Sequence, residues 1–335
     1  MTNKPFLSVC IPTFNRAGFL RECLASLCQD GVDKTMFEVV VSDNGSSDST
    51  VAVLEEFSNI LPLRYVVQSE NIGMDRNFDA VVALAQGEYC WLLGSDDAVE
   101  SYGLQKLMGA LRVERTDILH FGYVQCDIEL KRRFTAHPPI GRVDSKPKVF
   151  ASYIGGLQNV SLMFAFISSF AFRRSLWMDQ RVRVQGWVGT HYIHMFAIHA
   201  ALAAGASLAS IDDCPVLARG DNPNDFNTVP GRFIALDART VSRVIQEIYG
   251  DSKRFWQAMG QPFRRSYPIK ALIQIAADGG LDYLLQNRVT LIRLGYPTSL
   301  LHILAALGRF DLLKIVKLTL DLRRKAIKKF SINAL

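Results

Sequence analysis

The chain has 335 residues, 49% of them apolar and 21% charged, enough for a large buried core with an appendage, and this excludes a disordered chain. Its 38 Lys and Arg against 32 Asp and Glu leave a net charge of +6, which suits phosphate-bearing ligands, an anionic surface or plain solubility alike.

The first 125 residues alternate short β-branched runs with helical periodicity, the pattern of an α/β fold with a mostly parallel sheet flanked by helices. Strands are predicted over residues 6–12, 37–42, 63–67, 88–93 and 118–124. Helices are predicted over 17–28, from the turn after 43–50 through 57, over 74–85 and over 102–112. Residues 127–148 are polar and Pro-rich without a sustained period and read as loops. Beyond them, 165–172 reads as a buried strand, 190–204 as a helix, and 207–211 and 216–218 as short strands. From Arg232 onward the pattern is helical, with breaks at Gly279-Gly280, Pro297 and Gly308. The expected organisation is a domain over 1–220 and a helical region over 221–335.

The six cysteines form no CxxC pair and no zinc-ligand spacing with histidine, so they read as reduced core thiols of a cytoplasmic protein. The N-terminus runs into a strand pattern without the marks of a signal peptide. The longest apolar stretches, 160–172 and 195–211, fall short of the roughly 20 apolar residues of a spanning helix, and none is expected.

Ligands of an open α/β sheet sit outside the carboxyl ends of its strands. All four leading strand ends here are polar: Pro12-Thr13-Phe14-Asn15-Arg16, Asp43-Asn44-Gly45-Ser46, Glu70 to Asn77, and Ser95-Asp96-Asp97. Adjacent carboxylates such as Asp96 and Asp97 repel unless a hard divalent cation lies between them and a diphosphate, where it neutralises a departing group. The alternative is an Asx turn or N-cap. Asp43 divides the same way, between capping and accepting a base N–H. Arg16 and Arg76 suit phosphate oxygens or simple solvation, and Asn77 is equally ambiguous. No GxGxxG, P-loop, HExxH or GxSxG is present.

Together, Leu7 to Arg16, Val40 to Asp48, Glu70-Asn-Ile-Gly73 with Arg76-Asn77, and Trp91 to Asp97 resemble the inverting family-2 glycosyltransferases of the GT-A fold, over residues 5–220. The Gly-Ser-Asp-Asp variant is similar to an abequosyltransferase-like branch that builds bacterial surface polysaccharides such as O-antigen or capsule. Ser168 to Arg174 and Cys214 to Arg219 resemble later strands of that fold. The resemblance implies that Pro12, Thr13, Asn15, Arg16, Asp43, Asn71, Arg76 and Asp96 bind the nucleotide, UDP being favoured. It also implies that Asp96 or Asp97 holds Mn²⁺ or Mg²⁺. The family's metal motif is commonly Asp-x-Asp, and Gly94 stands at its first position here. The family's catalytic carboxylate is likewise absent, and His191 aligns best with it; an imidazole can take a hydroxyl proton near neutral pH. His194, one helical turn on, would approach the metal or diphosphate, and Trp187 would stack on the acceptor. Each of these three has a bland alternative: a hydrogen-bonded histidine, or core.

The implied reaction is a single displacement with inversion, from a nucleotide diphosphate sugar to a saccharide or lipid-linked saccharide. No nucleic-acid partner is expected. Residues 310–329 form a basic amphipathic pattern, with Leu312, Ile315, Val316, Thr319 and Leu322 on one side and Lys314, Lys317, Arg324, Lys325 and Lys328 elsewhere. It suits packing on the domain or peripheral docking on the cytoplasmic face of the inner membrane. A non-catalytic glycan-binding module and a nucleotidyltransferase are the competing readings; the latter lacks the Gly-rich basic loop that a triphosphate needs.

Overall fold

The computed structural model describes residues 4–144, 146–220 and 229–332, with side chains through 322. In chain order the first elements are β1 (Leu7–Thr13), α1 (Ala17–Ser26), β2 (Phe37–Asp43), α2 (Thr50–Ser58), β3 (Leu63–Val67), α3 (Met74–Leu84) and β4 (Tyr89–Leu92). There follow β5 (Ala98–Val99), α4 (Gly103–Glu114), β6 (Ile118–His120), β7 (Tyr123–Cys126), β8 (Arg132–Ala136), β9 (Gly141–Val143) and α5 (Pro147–Gly156). Then come β10 (Phe170–Arg173), α6 (Arg174–Val184), α7 (Ile193–Ala203), β11 (Leu208–Ser210) and β12 (Val216–Arg219). The chain divides into two compact units, Met1–Asn222 and Pro223–Leu335. The expected boundary after residue 220 abuts residues 221–228, which lie outside those described.

In the first unit an eight-stranded sheet runs in the order β3-β2-β1-β4-β10-β6-β11-β9. Its β3, β2, β1 and β4 are parallel, and β10 is antiparallel to both neighbours. Every residue of β1 and β2 is buried, as strands covered by helices on both faces must be. The register sets Thr13 opposite Asp43 and Cys10 opposite Leu92, so the exits of β1, β2 and β4 emerge side by side. A second sheet has the order β5-β12-β7-β8.

The structure corrects three expectations. The strand over 118–124 is two strands in different sheets, because the Phe121 N–H bonds to Ser169 and the Gly122 N–H to Asp213. Residues 127–148 contain β8, β9 and the start of α5; four of the five β8 residues are exposed, so this edge strand shows no apolar alternation. The strand over 165–172 shortens to β10, preceded by a tight turn at Ser161–Ala165 where Phe164 has a φ of 65°.

The second unit is helical: α8 (Arg232–Glu247), α9 (Lys253–Ser266), α10 (Ile269–Ile275), α11 (Leu281–Gln286), α12 (Arg288–Arg293), α13 (Thr298–Arg309) and α14 (Leu313–Ile332). Ile234, Val241, Trp256, Met259, Phe263, Leu284 and Leu291 are among its buried side chains. Gly279 interrupts the helices at a φ of 100° and Pro297 precedes α13, whereas Gly308 lies inside α13. Among the described residues no helix is long and apolar enough to cross a membrane. All six cysteines are free; Cys28 is exposed and Cys214 half-buried.

Candidate active site

The exits of the parallel strands are tied together by polar contacts. Asn15, at a φ of 50°, receives the Ser47 N–H on its Oδ1 at 2.8 Å and donates its own N–H to Ser46 Oγ at 2.7 Å, joining the β1 and β2 exits. Ser46 Oγ in turn donates to Asp43 at 2.5 Å, so the fully buried Asp43 carboxylate organises this turn. Gly45 makes the turn passable: its φ is 74°, and a Cβ there would stand 2.9 Å from the Glu70 carbonyl carbon. Asn44 donates to Asn71 Oδ1 at 2.8 Å and accepts the Ile72 N–H at 2.9 Å, binding the β2 exit to the loop before α3. Asn71 is thereby a bridge between two exits. Arg76 is exposed on the first turn of α3, and Pro12 is buried in β1 opposite Ser42.

Asn77 completes this floor. Its amide donates to the Ser42 carbonyl at 3.0 Å and the Thr13 carbonyl at 3.4 Å. Asn77 Oδ1 and Thr13 Oγ1 are buried without a hydrogen-bond partner among the described residues. Buried polar atoms are nearly always satisfied, so these two, one at the end of β1 and one on α3 against the ends of β1 and β2, leave hydrogen-bonding capacity open to a ligand.

The two carboxylates after β4 have different environments. Asp97 is buried; its Oδ2 accepts from Ser168 Oγ at 2.6 Å and its Oδ1 from the Arg219 N–H at 3.1 Å. Burial, and then the charge of Asp96, raise its pKa to about 8. Asp96 remains partly accessible and pairs with Arg16 at 3.0 Å, linking the β1 and β4 exits. Arg219 braces the turn: its Nε donates to the Asp96 carbonyl at 2.7 Å, and its Nη2 pairs with Glu22 at 2.6 Å. A Cβ on Gly94 would lie 2.7 Å from Asp97 Oδ2, so a side chain at the first position of an Asp-x-Asp motif would displace the Asp97 carboxylate from where it stands here. Among the described residues no three His, Cys, Asp or Glu side chains converge as a metal site. The partly accessible Asp96 carboxylate suits a cation held by one carboxylate together with substrate phosphates.

Two expectations on the acceptor side are corrected. His194 is buried, its Nε2 meets the Ala165 carbonyl at 2.9 Å, and its ring packs against Phe78 and Phe170. Burial lowers its pKa to about 4; with Nε2 on the Ala165 carbonyl and its ring between Phe78 and Phe170 it is a core residue holding the turn before β10, and among the described residues it does not converge with Asp96 and Asp97 as a third ligand. Trp187 is buried against Phe196, with ring centroids 4.0 Å apart, so it is core and not a stacking platform. His191 is half-buried in the loop before α7, at a φ of 66°.

The sequence reading passed over Asp75, Ser168 and Arg219. Asp75 is buried on α3, and its carboxylate accepts the N–H groups of Gly189 at 2.7 Å and His191 at 2.9 Å. Ser168 opens one of the two later motifs and Arg219 closes the other, and a polar residue bounding an apolar run was the available signal.

The profile of the family described as Glycosyl transferase family 2 matches residues 8–179, just over half the chain. The abequosyltransferase RfbV of Salmonella typhimurium is 28% identical over 286 residues, covering 82% of this chain and 85% of that protein. The poly(ribitol-phosphate) beta-N-acetylglucosaminyltransferase TarS of Staphylococcus aureus is 30% identical over 113 residues, 33% of this chain and 20% of TarS. The crystal structure of S. aureus TarS 1-349 in complex with UDP-GlcNAc superposes with a TM-score of 0.60 at 16% identity, covering 91% of this chain and 92% of that one.

Proposed function

The chain belongs to glycosyl transferase family 2, and from that premise we propose a metal-dependent, inverting enzyme that moves a sugar from UDP to a saccharide or lipid-linked saccharide of a surface polysaccharide. That it is a glycosyltransferase acting on a nucleotide sugar rests on the family; the base, metal, stereochemistry and acceptor are the proposal. The asymmetry of the carboxylate pair carries it. Asp97 is buried and held by Ser168 and Arg219, whereas Asp96 is partly accessible beside Arg16, and this difference in exposure favours Asp96 as the carboxylate that meets a cation and a diphosphate.

In this reading Thr13 Oγ1 and Asn77 Oδ1 receive polar groups of the nucleoside, on a floor shaped by Pro12, Asn15, Asp43 and Asn71. Arg16 and Arg76 take phosphate oxygens. Asp96 would hold Mn²⁺ or Mg²⁺, which would supply positive charge against the departing diphosphate. His191 accepts the proton of the acceptor hydroxyl, whose oxygen attacks the anomeric carbon from the side opposite the leaving group.

A thermal-shift panel of nucleoside diphosphates and their sugars, with and without Mn²⁺, tests the donor and metal together. UDP-sugars are expected to raise the melting temperature most, with a Mn²⁺-dependent increment that Asp96→Ala abolishes. An undiminished increment in that variant overturns the metal assignment. NMR of the product is expected to show inversion, and retained configuration sinks the single displacement.

Peripheral membrane docking belongs to the same proposal. Helix α14 buries Leu313 and leaves Ile315, Leu318 and Leu322 exposed at helical spacing, beside exposed Lys314 and Lys317. The side chains of Arg324, Lys325 and Lys328 lie outside those described. Deleting residues 310–335 is expected to abolish co-sedimentation with anionic vesicles. Undiminished co-sedimentation removes the docking.

A further inference from the structure

We infer that Asp75 is the positioning residue for His191, setting the base against the donor; this rests on His191 being the base, as proposed above. The loop before α7 turns through two left-handed residues, Gly189 at a φ of 93° and His191 at 66°. For a non-glycine residue such a conformation costs about 1–3 kcal/mol and persists only where neighbours enforce it. The Asp75 carboxylate enforces it. One of its oxygens accepts the N–H groups of both left-handed residues, at 2.7 Å and 2.9 Å, and the other reaches the Ile193 N–H at 3.5 Å.

The distances separate this role from simple capping of α7. A cap would make its best bonds to the first helical N–H groups, yet the Ile193 bond is the longest of the three. The short bonds go to residues ahead of the helix, one of them His191 itself. The carboxylate is buried and engaged by three backbone N–H groups, so it is not presented to a hydroxyl as a base.

Its place on α3 gives the contact its purpose. Two residues on, Asn77 reaches the carbonyls of Thr13 and Ser42 at the strand ends. One helical turn therefore fixes the donor floor with Asn77 and the base loop with Asp75, and the spacing between them is set by covalent geometry. A displacement of about 1 Å at such a site can cost 10²-fold in rate.

The test is a double-mutant cycle between Asp75→Asn and His191→Ala, with donor hydrolysis and transfer both measured. Asp75→Asn keeps the side chain's shape but replaces one acceptor oxygen by a donor group. It is expected to lower kcat for transfer by about 10²-fold with the donor KM unchanged. In the His191→Ala background it is expected to cost nothing further. Equal losses in both backgrounds, or a raised donor KM with kcat intact, overturn the positioning role while leaving His191 as base. A His191→Ala enzyme with the native rate overturns the base assignment, and this inference with it. Should Asp75→Asn fail to fold, Gly189→Ala perturbs the same loop through its φ alone, since nothing lies within 4 Å of the added Cβ, and the same coupling is expected.

Discussion

The proposed donor side and the proposed acceptor side of the site are built from different materials. Donor-side residues sit at the ends of fully buried parallel strands whose register is fixed along their length, and they cross-link directly: Asn15 to Ser47, Asn44 to Asn71, Arg16 to Asp96. On the acceptor side His191 stands in an irregular loop whose shape depends on a carboxylate from another helix. A strand end shares its geometry with a whole ladder of backbone bonds, whereas the two left-handed residues of this loop both give their N–H groups to the Asp75 carboxylate. Donor-side substitutions should thus act on ligand binding and metal response, and acceptor-side ones on the rate of transfer.

The largest expected effect is that of Asp96→Ala. Loss of the accessible carboxylate is expected to lower transfer on the order of 10³-fold, the scale of removing a preorganised group that stabilises leaving-group charge. Activity measured across a Mn²⁺ titration checks it, and a variant that regains full rate at high Mn²⁺ would return the ligand role to Asp97. His191→Ala comes next, with an expected loss of about 10²–10⁴-fold in kcat and little change in the UDP-induced thermal shift. Were the shift lost and kcat kept, the division between the two sides would be broken.

This division also explains what could be read from the sequence. Exits of parallel strands follow directly from strand order, so position alone sets segments 12–16, 43–46 and 95–97 side by side, while the roles given to their residues come from the family resemblance. Environment was not legible: nothing in Asp96-Asp97 says that Ser168, more than seventy positions on, buries one carboxylate and leaves the other accessible. His194 and Trp187 misled because a buried ring and an exposed one look alike in a short motif. Asp75 was missed because its partners are backbone N–H groups, which leave no residue signature. Residues 127–148 defeated periodicity because β8 is an exposed edge.

A smaller effect tests the departure from the family's metal motif. Gly94→Asp restores the common Asp-x-Asp, yet the new side chain would meet Asp97 Oδ2, with its Cβ at 2.7 Å. The variant is expected to lose about 1–3 kcal/mol of stability, as overpacked buried sites do, and to gain no metal affinity. Denaturant melts with and without Mn²⁺ measure both. A stable, tighter-binding Gly94→Asp enzyme would mean that the glycine is incidental.

The smallest effect concerns His194, and it separates a core histidine from a metal ligand. Burial lowers the pKa of His194 and His199 to about 4 and that of His120 to about 3, below the ordinary value of about 6.5. The folded state therefore binds fewer protons than the unfolded chain between these values. Stability contributed by the neutral rings is fully present above about pH 6.5 and is lost as pH falls toward about 4. His194→Gln keeps an amide donor for the Ala165 carbonyl but cannot titrate. It is expected to cost about 1 kcal/mol at pH 7 and to make the acid-side decline in melting temperature shallower, because one of the three protonation sites is gone. The Mn²⁺ response should be unchanged, since the ring belongs to the turn before β10. If the acid limb kept its slope while the Mn²⁺ response disappeared, His194 would have to be placed with Asp96 after all, and the loop and strand-end regions would share one metal site.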